Sequence, residues 1–192
     1  MCITFVWRRR RFRVPFASFP AFPARPVERT RPQTIAWGLF LLSFLVRAHF
    51  LNAHPRFSSF FSIFGVPFSD AAGWDALALE VSEGRGFSGW YSMYRPFYSL
   101  CLALIYTWTG HSVSAAQVFN TALGVFTAPL IYLLGRQCLG ASAGLAAALF
   151  YVFDPLIQSD TLCLMTEVPG LFFLVASLYC LIQGLVTTRS IG

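Results

Sequence analysis

Residues Ser69 to Ser99 read SDAAGWDALALEVSEGRGFSGWYSMYRPFYS. This is the one polar, acid-bearing stretch of any length in the chain. Four of the eight carboxylates fall in it (Asp70, Asp75, Glu80, Glu83), together with Arg85 and Arg95. Around it the chain is apolar: 56% hydrophobic, 11% charged, with a mean hydropathy of +0.61. Soluble domains carry roughly 25% charged residues. A shortfall this large puts the chain among membrane proteins, with one charged loop held against the bilayer by apolar helices.

The net charge of +6 is no nucleic-acid signature. All fourteen basic residues are arginine, and eight of them precede residue 32. A basic tail beside an apolar span is a cytoplasmic anchor under the positive-inside rule. Arg9-Arg10-Arg11-Phe12 also fits a loose twin-arginine export pattern, but Pro15, Pro20 and Pro23 spoil the run behind it as a signal helix. The five cysteines are widely spaced and have no metal-ligand spacing, so they read as buried small hydrophobes.

Thr34 to Asn52 is long enough to span, at about 28 Å of helix. Arg47 and His49 lie in its last turns. Arg47 either snorkels to the headgroups or lines a site for an anionic ligand. His54 to Phe68 reads as an interfacial loop. A short helix follows, capped by Ser69 or Asp70, with Trp74, Leu77, Ala78 and Val81 on one face and Gly84 at its end. Asp75, Glu80 and Glu83 read as solvated charges of its other face, and His54 and His111 as interfacial side chains without a ligand role.

Phe97 to Trp108, at about 18 Å, is too short to cross and reads as lying in the interface. Spans are then expected over Ser112 to Gly135, Leu139 to Phe153 and Val168 to Val186, with Leu156 to Thr166 a loop. The expected organisation is a basic tail over 1–33, a first span over 34–52, an extracytoplasmic loop with interfacial helices over 53–111, and three further spans over 112–192. Both ends are cytoplasmic in this arrangement. Seven of the eight acids lie at the outer surface, all but Glu28. The expected fold class is therefore an all-α polytopic membrane protein of about four spans.

Carboxylates and arginines at one membrane face suit transfer from a phosphate-bearing lipid. Arginines hold the phosphate, and a carboxylate takes the proton of an attacking hydroxyl. A small transporter would instead place charges or broken helices at the midplane.

The order of the motifs carries a resemblance. SDAAGWDALALEVSEGRGF, then YRPFYSLCLALIYTWTG, then AAQVFNTALGVFTAPLIYLLGRQCLG, then LMTEVPGLFFLV resembles the N-terminal part of GT-C glycosyltransferases. The branch is that of the dolichyl-phosphate-mannose protein mannosyltransferases and aminoarabinose transferases, and the resemblance covers roughly residues 35 to 190. It implies a GT-C-like module and inverting transfer of a sugar from a polyprenyl-phosphate donor to an extracytoplasmic acceptor of unstated identity, in a bacterial inner membrane. It gives Asp70 as the catalytic carboxylate and Glu167 as a second catalytic acid. Arg95 and Arg47 become substrate-binding residues, with Trp74 and Tyr98 beside them. No metal ligand is assigned, and a divalent metal is allowed. The sequence departs from the family's pattern at Trp74, where Tyr is usual, and at Phe97-Tyr98-Ser99. It is also shorter than the family's members, so it reads as their first third. The other class of function compatible with the sequence is a non-catalytic membrane protein or a remnant of such an enzyme.

Overall fold

The computed structural model describes residues 32–53, 69–87 and 96–189. Seven helices occupy them: α1 (Pro32–Ala53), α2 (Ser69–Ser82), α3 (Pro96–Thr109), α4 (Val113–Cys138), α5 (Ala141–Phe153), α6 (Pro155–Leu162) and α7 (Glu167–Arg189). The expected all-α membrane architecture is the one observed. Helices α1, α4 and α7 are each long and apolar enough to cross a bilayer. The pair α5 and α6, bent by 52° at Asp154, makes a fourth crossing when taken as one broken span.

Helix α4 is the hub, packing against α1, α5 and α7. Its N-terminus is fixed by Ser112, whose hydroxyl accepts from the Ala115 amide. Glycine sets its approach to α5. A Cβ on Gly135 would lie 2.7 Å from the Gly144 Cα, and one on Gly144 would lie 2.6 Å from the Tyr132 carbonyl and the Arg136 amide. Two backbones meet there with no side chain between them, as small residues allow in membrane bundles. Leu39, Tyr132 and Ala148 fill the layer between α1, α4 and α5 at this depth. Helix α7 contrasts with α4: only 6% of its apolar window is buried, against 33%. Leu174, Leu178, Leu181 and Leu185 along it are exposed, as lipid-facing residues are.

Helices α2 and α3 pack on each other and on the opening turn of α4. Ala71, Trp74 and Ala78 of α2 close on Tyr98, Leu102 and Tyr106 of α3, with Ala116 of α4 and Leu164 completing the cluster. α3, at 14 residues or about 21 Å, is shorter than a crossing, as expected. α2 ends in a Schellman motif: the Arg85 amide donates to the Glu80 carbonyl and the Gly84 amide to the Val81 carbonyl. Gly84, at φ +76°, supplies the left-handed residue this needs.

The structure corrects two expectations. Residues Leu156 to Thr166 were expected as loop, yet Pro155–Leu162 is helical. Asp154-Pro155 does end α5, but it also starts α6: the Asp154 carboxylate accepts from the Leu156 amide at 2.9 Å, and proline suits the first helical position. The cysteines are also less enclosed than expected. Cys101, Cys138 and Cys163 are half-buried and Cys180 is exposed, all four of them free thiols.

Candidate functional site

One end of the bundle gathers the polar chemistry. It is formed by the last turns of α1, the starts of α4 and α7, the α5–α6 bend and the α2–α3 layer. At its centre, the Tyr98 hydroxyl and the Asn120 side chain exchange hydrogen bonds at 3.0 and 3.2 Å, both groups buried. Gln117, one turn earlier on α4, donates to the Leu162 carbonyl at 3.0 Å. These contacts tie α3 and α6 to the hub.

Beside Tyr98 a groove of about 690 Å³ opens between the start of α3 and the first turns of α7. Phe97, Phe173, Gly170 and Leu174 make its apolar walls, and Thr166, Glu167 and Tyr98 its polar edge. Phe97 stands edge-on to Phe173 at 5.3 Å, so the groove reaches from the α7 N-terminus into the apolar zone. Glu167 lies in the first turn of α7, where the helix dipole favours an acid. Its carboxylate is exposed and 3.5 Å from the Thr166 hydroxyl. Burial pushes the Tyr98 phenol up, the hydrogen bond to Asn120 draws it back, and the charges of Cys101, Asp75 and Glu167 add to the rise. The groove wall is thus a protonated phenol beside a carboxylate. Asp160 lies within electrostatic reach of both Glu167 and Asp154.

Of the remaining expected site residues, Asp70, Trp74 and Arg47 do not line this groove. Asp70 is exposed in the first turn of α2. Trp74 is 5% exposed, in the seam between α2 and α3. Arg95 lies outside the described residues, one position before the first residue of α3. Arg47 is 2% exposed, so it neither snorkels to headgroups nor faces an open surface. Its guanidinium donates to the Ser43 hydroxyl at 2.6 Å, stands 5.0 Å from the Tyr151 ring centre, and occupies the space that Gly124 leaves. Its Nε and Nη2 have no hydrogen-bond partner among the described residues. Glu167 and Tyr98 therefore share one groove, Asp70 and Trp74 share one helix, and Arg47 sits apart, inside the bundle.

Reading Asp75 as a solvated charge of the helix face is corrected. The Asp75 side chain is 13% exposed. One of its oxygens accepts from the Tyr106 hydroxyl at 2.5 Å and the other meets His111 Nε2 at 2.9 Å. Gly110, at φ +72°, turns the chain so that His111 swings back over α2. No local periodicity announces a contact across 36 positions; Tyr106, one of two buried tyrosines on an apolar α3, was the nearest signal.

Among the described residues, no three His, Cys, Asp or Glu side chains stand together as a metal cradle.

Compared with known families, residues 95–191 match the one described as dolichyl-phosphate-mannose-protein mannosyltransferase. That is 97 of 192 residues, half the chain. The chain belongs to this family. The match begins at Arg95, beside the groove-forming start of α3, and runs through α4 to α7. It thus takes in the whole groove, from Phe97 to Leu174. No curated protein and no solved structure matches the chain.

Proposed function

We propose that the chain transfers a sugar from a polyprenyl-phosphate donor to an acceptor hydroxyl or amine at the extracytoplasmic face of a bacterial inner membrane. The N-terminus lies in the cytoplasm. The observation that carries this reading is the groove between α3 and α7: apolar along its depth and carboxylate-edged at its mouth, it lies wholly within the matched segment. A prenyl chain suits the walls made by Phe97, Phe173 and Leu174, and the sugar-phosphate then comes to the level of Glu167.

Arg95, beside the groove's mouth in sequence, holds the phosphate as a planar two-pronged donor. Arg47, enclosed within the bundle, adds positive potential to the site from within. Asp70, exposed on α2, takes the proton as the acceptor oxygen or nitrogen bonds to the anomeric carbon. The bond from that carbon to the phosphate oxygen breaks, and polyprenyl phosphate leaves with the electron pair. Attack from the face opposite the phosphate inverts the anomeric centre. Glu167 orients sugar hydroxyls at the groove edge beside Tyr98. Trp74, packed behind Asp70, backs the site.

The test is release of labelled sugar from a polyprenyl-phosphate donor by membranes carrying the chain. Transfer by the wild type and its loss in Asp70→Asn, with insertion unchanged, is the expected result. Equal transfer by both, or none by the inserted wild type, defeats the reading.

A further inference from the structure

Helix α2 carries two carboxylates in different situations. Asp70 is exposed, whereas Asp75, five residues on, is turned into the seam with both oxygens engaged. An ionised carboxylate only accepts hydrogen bonds, so His111 Nε2 and the Tyr106 hydroxyl are both donors here. The donors come from different elements. Tyr106 is a buried residue of α3, and His111 stands in the α3–α4 turn, next to Ser112, the cap of α4. The imidazole also stands edge-on to the Tyr106 ring at 5.2 Å. One residue before Asp75, the Trp74 carbonyl accepts from the Ser99 hydroxyl at 3.3 Å. Two polar ties, about two turns apart along α3, thus meet α2 at adjacent residues.

Apolar packing alone is non-directional and leaves a 14-residue helix such as α2 free to roll on its neighbour. A carboxylate in the seam costs desolvation, and hydrogen bonds at both oxygens offset it in only one rotational setting. That setting fixes Asp70, which lies about 7.5 Å along the helix axis and 140° around it from Asp75. We propose that Asp75, Tyr106 and His111 form a positioning brace that fixes the rotation of α2 and thereby places Asp70 at the acceptor. The placement of Asp70 rests on the transfer reading above; the brace itself does not.

Hydrogen exchange of α2 in the full chain, in lipid nanodiscs, tests the brace, and transfer kinetics test its consequence. Asp75→Ala and His111→Ala are expected to speed exchange across residues 71–82 on the order of tenfold, with α4 and α7 unchanged. In the same variants kcat falls about tenfold while KM holds, since the donor's groove is untouched. Asp75→Asn keeps an oxygen for Tyr106 and an amide for the other imidazole tautomer, so it restores slow exchange and most of kcat. Unchanged exchange in Asp75→Ala overturns the brace. So does Asp75→Asn matching Asp75→Ala in lost kcat with α2 still protected, which would make Asp75 a proton-transfer group. If the alanine variants loosen the whole bundle, Tyr106→Phe decides by the same local exchange, because it removes one hydroxyl and no volume. An inserted wild type that transfers no sugar defeats the transfer reading while the exchange result still decides the brace.

Discussion

Arg47 shows how much of this chain turns on single side chains. An arginine near the end of a span reads from sequence as either a snorkelling anchor or a ligand contact, and its place inside the bundle is not that of an anchor at the headgroups. Its enclosure depends on Gly124, 77 positions later, whose missing Cβ leaves room for the guanidinium, and on Tyr151 beneath it. Such a pairing has no local signature, so it could not be read in advance. A buried cation with two unpartnered nitrogens is an expensive group to keep in a bilayer. Arg47→Met is therefore expected to raise stability by about 1–3 kcal/mol in detergent unfolding, while lowering transfer. Equal stability and equal transfer would remove any role for the positive potential assigned to it. Asp70 and Glu167, by contrast, were legible as acids at helix starts, because the dipole preference is local. What that preference cannot say is which start opens on a groove.

The helices themselves were largely legible, and their ends show why. Span-length apolar runs, Ser112 before α4 and Gly84 after α2 are signals written in adjacent residues. The miss was α6, where Asp154-Pro155 served as both a stop and a start. Asp154→Ala is expected to cost about 1 kcal/mol by removing the cap on the Leu156 amide. Circular dichroism and thermal unfolding of the inserted protein check it. Packing between elements follows the glycines unequally. Gly144→Ala drives a methyl onto the Tyr132 carbonyl and the Arg136 amide, neither of which can swing aside. A loss of about 1–3 kcal/mol is expected, read by the same unfolding. Gly170, with nothing within 4 Å of a built Cβ, accepts alanine without measurable change.

For the molecule as a whole, the sequence placed the acids at one membrane face but could not place the groove. The groove lies between the start of α3 and the first turns of α7, with Phe97 set against Phe173 and Tyr98 tied to Asn120 of α4. These are long-range contacts, and no run of adjacent residues announces which helix Phe97 or Tyr98 will meet. The family match starts at Arg95, next in sequence to the groove, and leaves α1 and α2 outside. On this account the matched segment holds the lipid carrier and α2 brings the acid.

The most direct measurement is photocrosslinking of a polyprenyl phosphate bearing a diazirine on its first prenyl units, mapped by peptide mass spectrometry. Labels are expected on peptides carrying Phe97 and residues 170–174, and they should fall at least tenfold in Gly170→Trp, which fills the groove without touching α2 or α4. Labelling spread over the lipid-facing side of α7, and indifferent to Gly170→Trp, would contradict the account.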